Sequence, residues 1–541
     1  MRKQTKLVAV LSAAALLAMG ASITSFAAGW QKDDAGVWHY YDSDNEMVTG
    51  EWKKDGGKWF YLDEDGDMAV DQWVDDDYYV AEDGHMLVNE WKKTMADEDV
   101  SEPDDEGEHW YYFDNKGKKV TSDKKKINGR TYYFNSDGEM RDGWYEYGTD
   151  IYYLGGEDEG WRTEGQWLWL ERPTDDEDLD EGEWADDENC SVDCDDEGWY
   201  WFGNDGKMFK DSSKKKKING KYYYFNKHGQ MLYEWINTKA EDGNTTDGVA
   251  TAADTQASAS EVVDGMRYAN QVEEGWRADG WYQIDGSDDA KTSDDTDWYY
   301  FKKGEAKKAD MNDIVIGAKD GSDNVYRTKE KINGKYFAFN EVGQMQTGLQ
   351  FIDDSLYYFD NDGYMKTGKV SSVEEEDGDT YTYYFTTKNG KNGTGVTGEK
   401  DGYLYWNGKK LEADDDYRFY VVKGEVYLVN TKGKIQKSDK KYDIEEIGDD
   451  VYVTFSGKTV DKYATDGNKE HVTNLNRFDM VKAGEISVPS IWVYDNVLAP
   501  TDVVNGQGNH FYRNDDATGT DGLTEKINTL SSTAETEEDA E

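Results

Sequence analysis

The chain has 541 residues, of which 36% are hydrophobic and 14% are aromatic. Many of its apolar residues are therefore Tyr and Trp rather than aliphatic residues, which excludes one large aliphatic core but allows flat rings to be buried between small stacked units. The net charge of −54 repels nucleic acids and anionic lipids, so neither is an expected partner.

The N-terminus has the pattern of a secretory signal peptide. Basic residues open the chain, residues 7–19 are apolar, and Ser25 and Ala27 place small residues before a cut after Ala27. The apolar stretch is too short to span a membrane, and no second one follows. We therefore predict that residues 1–27 are a signal peptide and that the mature chain is exported, without a membrane span, to the cell surface or the cell wall.

A short aromatic motif recurs from residue 28 onward. One copy is Trp110-Tyr111-Tyr112-Phe113-Asp114, and most copies continue through a turn that ends in Gly-x-Met. Similar runs lie at residues 38–42, 59–63, 132–135, 223–226 and 357–360. The clearest copies follow one another about every 20 residues, and tandem repetition at such a period predicts an array of small units rather than a compact enzyme.

Each copy predicts a β-hairpin. Successive side chains of a strand face opposite sides, so Trp110 and Tyr112 share one face while Tyr111 and Phe113 share the other. The residues that follow, Asp114–Gly117, have turn chemistry. A hairpin with aromatic side chains on both faces is not stable alone and must stack on its neighbours. We therefore predict an all-β fold, a solenoid-like array of stacked β-hairpin repeats with long acidic loops.

The turns carry a second signal. Asn128-Gly129, Asn219-Gly220 and Asn333-Gly334 predict tight turns into Tyr-rich strands. Asp-rich turns such as Asp360–Gly363 resemble calcium loops, but they lack the full calcium-loop spacing with its closing Glu, so the hairpin turn is the preferred interpretation. No metal site and no cofactor are predicted.

The repeats divide the chain into regions. After the signal peptide we predict the following segments: a first cell-wall-binding repeat region at residues 28–237, a linker at 238–264, a second, degenerate repeat region at 265–437, a β-rich region of unassigned role at 438–513, and a disordered acidic tail at 514–541. The two cysteines, Cys190 and Cys194, lie in an acidic segment of the first region. They either close a local disulfide or remain free, since two ligands alone do not make a zinc site.

Catalysis has little support in the sequence. The six histidines are scattered, and no nucleophile elbow, zinc-protease motif or phosphate-binding loop is present. Carboxylates are so abundant that the proximity of two of them carries no information. We therefore expect no enzymatic activity.

The repeats resemble the choline-binding, or cell-wall-binding, repeats of Gram-positive surface proteins. Gly29-Trp30-Gln31-Lys32, Trp38-His39-Tyr40-Tyr41 and Glu46-Met47-Val48-Thr49-Gly50 stand where that family has its Gly-Trp, Trp-Tyr-Tyr and Gly-x-Met-x-x-Gly-Trp positions. The resemblance covers most of residues 29–237 and, more loosely, 275–437. Glucan-binding repeats and the carbohydrate-binding repeats of large secreted toxins are similar, so the ligand class stays open.

The resemblance implies a superhelix of hairpins that holds choline between consecutive hairpins in open aromatic boxes, often with the help of a Met. Carried over by position, it implies three boxes: Trp30, Trp38 and Met47 with Tyr61; Trp52, Trp59 and Met68 with Tyr79; and Trp91 and Trp110 with Tyr133. A cation over one ring gains about 0.5–2 kcal/mol, so three walls give roughly millimolar affinity, and several boxes on one array add avidity.

The expected function is therefore non-catalytic attachment to the cell envelope. The leading ligand is choline or a similar substituent on wall teichoic or lipoteichoic acid. One alternative is an extracellular glucan or glycan binder, and another is a structural or adhesive surface protein whose repeats display other segments to a partner. The sequence does not indicate which oligomeric state the protein adopts.

Overall fold

The computed structural model describes residues 28–96, 107–122, 124–173, 194–211, 213–237, 266–286, 295–310, 312–316, 324–387, 393–501, 503 and 508–513. The predicted signal peptide, linker and acidic tail lie outside these residues, as does Cys190; Cys194 is disulfide-bonded. None of the helices within the described ranges has the length and apolar character that crossing a membrane requires. The chain divides into two units, Met1–Trp167 with Pro173–Asp186 and Phe202–Met208, and Leu168–Arg172 with Asp187–Trp201 and Phe209–Glu541.

The first unit contains six consecutive antiparallel hairpins, each ending in an aromatic strand. Their strands are β1 (Gly29–Lys32), β2 (Trp38–Tyr41), β3 (Glu51–Asp55), β4 (Lys58–Leu62), β5 (Gln72–Val74), β6 (Tyr78–Val80), β7 (Glu90–Met95), β8 (Glu108–Phe113), β9 (Lys124–Ile127), β10 (Arg130–Tyr133), β11 (Trp144–Tyr147) and β12 (Asp150–Tyr153). The division between the units falls within the next hairpin, β13 (Gln166–Glu171) and β14 (Glu197–Phe202). The prediction of an all-β array of hairpins is confirmed.

The turns form as the residue types predict. Asn128 and Gly129 both have positive φ, at 49° and 86°, which is the type I′ geometry that matches the twist of a hairpin. After the aromatic strand β8, the Asp114 carboxylate accepts hydrogen bonds from the backbone N–H groups of Lys116 and Lys118 at 2.7 and 3.1 Å. Asp114 therefore caps its own turn with the oxygen that the calcium-loop alternative would give to a cation. The described residues contain no group of His, Cys, Asp or Glu side chains suited to a metal ion.

The Gly-x-Met segment joins each hairpin to the preceding one. The backbone N–H of Met68 donates to the carbonyl of Trp38 in the preceding hairpin at 2.8 Å, and Met86 does the same to Trp59. The Met side chain then lies over the turn glycine of the following hairpin, because a Cβ on Gly84 would stand 2.6 Å from Cε of Met68. The repeat thus specifies its own stacking, through one backbone hydrogen bond and one side-chain contact per step.

Replacing Gly84 by alanine is expected to destabilise the array more than replacing Gly129. Both glycines have positive φ, at +81° and +86°, but a Cβ on Gly129 meets nothing within 4 Å. The shared left-handed conformation costs about 1–2 kcal/mol. At Gly84, moving the flexible end of Met68 and the approach to the Ala69 carbonyl at 3.2 Å add roughly 1 kcal/mol. Urea unfolding followed by tryptophan fluorescence measures both variants. Equal midpoints would show that the Met68 contact does not constrain this glycine.

The second unit begins with further small sheets. Its strands up to residue 359 are β15 (Lys216–Ile218), β16 (Lys221–Phe225), β17 (Met231–Leu232), β18 (Glu234–Asn237), β19 (Met266–Ala269), β20 (Gly280–Ile284), β21 (Asp297–Lys302), β22 (Glu305–Ala306), β23 (Ile314–Ile316), β24 (Val325–Tyr326), β25 (Thr328–Ile332), β26 (Lys335–Phe339), β27 (Met345–Gln346), β28 (Gly348–Ile352) and β29 (Ser355–Phe359). They form two- and three-stranded antiparallel sheets in chain order. The repeat pattern therefore continues, with insertions, through this region.

Larger sheets follow in the second unit. The five-stranded sheet contains β30 (Gly368–Glu374), β31 (Thr380–Phe385), β32 (Gly398–Lys400), β33 (Tyr403–Trp406) and β34 (Lys409–Lys410) in the order β30-β31-β34-β33-β32. The six-stranded sheet contains β35 (Tyr417–Val422), β36 (Glu425–Asn430), β37 (Lys440–Ile444), β38 (Gly448–Ser456), β39 (Thr459–Ala464) and β40 (Thr473–Asn474) in the order β36-β35-β37-β38-β39-β40. This sheet takes strands from both sides of residue 437, where the sequence places a boundary between regions.

The described chain ends in two short helices and a third sheet. A 3-10 turn spans Lys469–His471, and α1 (Arg477–Lys482) begins after Asn476, whose side chain accepts from the backbone N–H of Asp479. The last sheet contains β41 (Ile491–Val493), β42 (Asn496–Pro500) and β43 (Asn509–Arg513). The three larger sheets contain the aliphatic residues that the repeats lack. One cluster of fully buried residues includes Val373, Leu404, Val429, Ile491 and Leu498.

Candidate functional site

A tryptophan in the first strand of each early hairpin bridges two hairpins. The Trp30 ring lies 5.2 Å from that of Tyr40 in its own hairpin and 5.1 Å from that of Phe60 in the next. The same pair of contacts is made by Trp52 with Tyr61 and Tyr78, by Trp73 with Tyr79 and Tyr111, and by Trp91 with Tyr112 and Tyr132. At each of these four junctions, rings from two neighbouring hairpins are therefore in contact, and we call such a junction a cleft.

The cleft between the fourth and fifth hairpins has the most complete set of walls. We call it the first-unit box; its residues are Trp91, Trp110, Tyr112, Tyr132 and Met140. The ring centroid of Trp91 lies 6.4 Å from that of Trp110, 5.0 Å from that of Tyr112 and 4.9 Å from that of Tyr132. Met140 packs against the same cluster. Tyr112 is buried, but Trp91, Trp110 and Tyr132 are only half-buried. The box thus presents aromatic faces to solvent.

Carboxylates flank this box and keep a lysine away from it. Lys93 stands opposite Trp110 in the β7–β8 register, but its Nζ is bound by Glu157 at 2.7 Å and by Asp158 at 3.2 Å. The Trp110 indole N–H donates to Asp158 at 3.0 Å. The Trp110 and Lys93 hydrogen bonds hold the pKa of Asp158 below its ordinary value, so this carboxylate is charged at neutral pH. A cation entering the box therefore meets aromatic faces with negative charge at the rim.

A second cleft with the same residue types lies in the second unit. We call it the second-unit box; its residues are Trp281, Trp298, Tyr300, Phe337 and Met345. Trp281 lies 5.2 Å from Tyr300 and 4.6 Å from Phe337, and Met345 packs against the same cluster. Trp298 lies two residues before Tyr300 in β21, so both side chains are on the same face of the strand, and Trp298 is 43% exposed. Its cross-strand neighbour is Gln283, so no lysine competes for its ring at that position.

In several other clefts the chain places its own cations over the rings. Lys32 and Lys54 lie 5.6 and 5.5 Å from the ring centroids of Trp38 and Trp59, and Lys53 lies 4.9 Å from that of Tyr40. These lysines are exposed or half-buried. In the described part of the chain, no Lys or Arg lies in this way over a ring of the first-unit or second-unit box.

The structure groups the sequence-predicted site residues differently from the three implied boxes. Trp30 and Trp38 share a face, as do Trp52 and Trp59, and Trp91 contacts Trp110. The residues expected from the next hairpin, Tyr61, Tyr79 and Tyr133, do not join them. Tyr61 contacts Trp52, Tyr79 contacts Trp73, and Tyr133 contacts Tyr145 and Tyr152. The next hairpin instead contributes the residue one position earlier, because neighbouring hairpins stack with opposite strand faces together.

The Met assignments shift in the same way. Met47 lies over Gly66 and is 40% exposed, whereas the N–H that binds the Trp38 carbonyl belongs to Met68, one repeat later. Met86 likewise binds the Trp59 carbonyl. The Gly-x-Met segment that borders a cleft therefore belongs to the hairpin that follows the cleft.

Sequence reasoning missed the second-unit box entirely. The signal was present, since Gly280-Trp281 reproduces the Gly-Trp position and Trp298-Tyr299-Tyr300-Phe301 reproduces the aromatic strand. The longer stretch of sequence between Trp281 and Trp298 obscures the period. Phe337 and Met345 could be assigned only once the stacking register was known.

Parts of the chain match two family models. Residues 27–73 and 120–164 match the choline-binding repeat, and residues 105–119, 194–208, 216–231 and 347–365 match the putative cell wall binding repeat. The resemblance found in the sequence is thereby confirmed for these segments. Trp110 and Tyr112 of the first-unit box fall in one matched segment, and Tyr132 and Met140 fall in another.

Solved structures similar to this chain include a modular autolysin and two choline-binding proteins. The modular autolysin LytC from Streptococcus pneumoniae is 18% identical, and the match covers 65% of this chain and 56% of the autolysin with a TM-score of 0.32. Choline binding protein F from the same organism is 19% identical over 69% of this chain and 100% of its own, with a TM-score of 0.32. The choline-binding domain of CbpL, also from that organism, is 24% identical over 38% and 97%, with a TM-score of 0.24. No curated protein matches the chain.

Proposed function

We propose that this chain is a secreted, non-catalytic protein that attaches to the cell envelope by holding choline, or a similar quaternary ammonium substituent of a wall polymer, in its aromatic boxes. The observation that carries the proposal is the first-unit box. It offers the half-buried rings of Trp91, Trp110 and Tyr132, the buried ring of Tyr112 and the thioether of Met140. Among the residues that the structure describes, no Lys or Arg lies over any of these rings. The matches to choline-binding and cell-wall-binding repeats support the same ligand class.

The physical fit is with a large, weakly hydrated cation. A trimethylammonium group spreads one positive charge over methyl groups, so it gains cation–ring attraction and apolar contact together and loses little hydration on entry. Asp158 and Glu157 add attraction at the rim without entering the box. Each wall contributes about 0.5–2 kcal/mol, which predicts roughly millimolar affinity for one box and tighter retention on a polymer that carries many choline groups.

The proposal predicts that choline, and not its unmethylated analogue, saturates the protein. In a titration of the full mature chain, choline chloride is expected to change the tryptophan emission with a midpoint at roughly millimolar concentration, as expected for a few cation–ring contacts. Ethanolamine is the matched control, because its primary ammonium is strongly hydrated and lacks methyl groups, and we expect it to bind more weakly. Sodium chloride at the same concentrations corrects for ionic strength.

Retention on a solid support separates the alternatives. Protein bound to choline-substituted agarose or to envelope fragments is expected to elute with free choline and not with dextran. Elution by dextran but not by choline would replace this proposal with the glucan-binding alternative. Insensitivity to both would favour a structural or adhesive role.

A further inference from the structure

Three repeats replace the Met of Gly-x-Met by a cationic residue. The turn glycines Gly117, Gly160 and Gly275 are followed, two positions later, by Lys119, Arg162 and Arg277. The backbone of each replacement keeps the role of the Met, because its N–H donates to a carbonyl of the preceding hairpin. Lys119 donates to Asp77 at 2.7 Å, Arg162 to Thr131 at 2.8 Å and Arg277 to Tyr222 at 2.8 Å. The three side chains therefore begin at the place in the cleft where Met68, Met86 and Met140 begin.

The aliphatic parts of these side chains also replace the Met. A Cβ placed on Gly138 would stand 2.7 Å from Cγ and Cδ of Lys119, and a Cβ placed on Gly304 would stand 2.9 Å from Cγ of Arg277. The stem thus covers the next turn glycine just as a Met does. What differs is the charged group at the end of the stem, so the substitution conserves the stacking and places a cationic group in the cleft. The guanidinium groups of Arg162 and Arg277 also pair with Glu164 at 2.6 Å and with Asp279 at 3.3 Å.

The charged ends lie against the aromatic walls. The Nζ of Lys119 lies 5.0 Å from the ring centroid of Trp73 and 5.9 Å from that of Tyr111, the two rings that wall the cleft between the third and fourth hairpins. Lys119 is only 9% exposed. Its ammonium therefore occupies the place of a bound cation in a cleft of the same design as the first-unit box.

The two arginines repeat the arrangement. Cζ of Arg162 lies 5.6 Å from the Tyr152 ring, and its Nη1 donates to the Tyr133 hydroxyl at 3.4 Å. Cζ of Arg277 lies 4.6 Å from the Tyr222 ring. Their side chains are 17% and 10% exposed, unlike the exposed Lys32 and Lys54 at other clefts. Burial and a fixed backbone distinguish these three cations from surface lysines that an incoming ligand displaces.

We propose that Lys119, Arg162 and Arg277 are built-in cations that close their clefts to external quaternary ammonium ligands, so that choline enters only clefts bordered by Met. This inference rests on the proposed function. A tethered cation acts at an effective concentration of about millimolar or higher, which is comparable to the expected affinity of one box for choline. The chain thereby sets the number and spacing of its binding sites by the choice between Met and a basic residue.

The test is the full mature chain with Lys119→Met, which installs the residue found at the equivalent positions 86 and 140. Isothermal titration with choline chloride is expected to show one additional site per chain, with a larger change in tryptophan emission as Trp73 becomes a wall of that site. Lys118→Met is the matched control: it removes the neighbouring lysine, which is exposed and paired with Asp77 at 2.9 Å, and no site is expected to appear. Arg162→Met is the second variant if Lys119→Met does not fold.

The outcomes separate this inference from the proposed function. Wild-type binding of choline with no additional site in Lys119→Met or Arg162→Met overturns the closed-cleft inference and leaves the proposed function in place. If choline does not bind to the wild type, the proposed function is overturned. The variant then decides the closed-cleft inference by itself: one new site supports the inference, and the absence of a new site refutes it. An additional site that appears equally in Lys118→Met would show a general charge effect and would also refute it.

Discussion

A chain that carries both Trp110→Ala and Trp298→Ala is expected to elute from a choline support at a lower concentration of free choline than the wild type. Each change removes the outermost wall of one open box, and each tryptophan is exposed enough for the hairpin to survive its loss. A lost cation–ring contact costs about 1–2 kcal/mol, which weakens each box by roughly 5- to 30-fold. Because a polymeric ligand engages several boxes at once, the loss of both reduces retention by more than either alone.

The measurement is the concentration of free choline that elutes each variant from the support. Trp110→Phe with Trp298→Phe keeps a ring face in both boxes and is expected to retain most of the binding. Trp492→Ala removes a half-buried tryptophan from β41, outside the repeats, and is expected to elute like the wild type. Wild-type retention by the double alanine variant, with an unchanged circular dichroism spectrum, would show that these two boxes do not hold the ligand.

Replacing Glu375 by alanine is expected to destabilise the C-terminal part of the second unit by about 3–5 kcal/mol. This carboxylate is 2% exposed and follows directly after β30. Its Oε1 accepts from the Tyr383 hydroxyl at 2.6 Å and pairs with Nζ of Lys409 at 2.9 Å, and its Oε2 accepts from the backbone N–H of Trp492 at 3.0 Å. The change leaves the buried Tyr383 hydroxyl and the part-buried Trp492 N–H without this acceptor, and it leaves the Lys409 ammonium with the Ser490 carbonyl at 3.1 Å but without its carboxylate partner.

The neighbouring Glu374 supplies the control for this prediction. Glu374 is exposed at the end of β30, so its replacement by alanine is expected to change the free energy of unfolding by less than about 0.5 kcal/mol. Urea unfolding of the full chain, followed in the near ultraviolet, measures both. We expect Glu375→Gln to lie between the two variants, because it keeps hydrogen-bonding capacity and loses the charge. Equal midpoints for Glu374→Ala and Glu375→Ala would refute the anchoring role of Glu375.

Local chemistry allowed much of the array to be predicted from the sequence. The alternation of faces in Trp110-Tyr111-Tyr112-Phe113 is observed, since Tyr111 and Phe113 contact Trp73 while Trp110 and Tyr112 contact Trp91. The Asn-Gly turns have the expected positive φ angles. These features depend on residues close together in the chain, whose geometry follows from strand alternation and from the conformations that Asn and Gly tolerate.

The partner of each box from the following hairpin could not be predicted in the same way. Choosing Tyr61 over Phe60, or Tyr133 over Tyr132, requires knowing which face of one hairpin meets which face of the next. Both faces carry aromatic residues, so the hydrophobic pattern does not decide between them. The hydrogen bond from the Gly-x-Met segment to the preceding hairpin fixes that choice, and it shifts every inter-hairpin assignment by one position.

The sequence by itself therefore determined the unit of this protein: an aromatic hairpin with self-capping turns, repeated along an acidic chain that matches choline-binding repeats in part. Only the tertiary structure decided which rings share a cleft, which clefts hold a basic side chain of the chain itself, and how residues 368–513 assemble into larger sheets. In that region Tyr417 pairs in parallel with Ile444, a contact between strands that are distant in the sequence. Such pairings depend on the packing of whole strands and on the direction of long side chains, and neither is encoded in a local pattern of residue types.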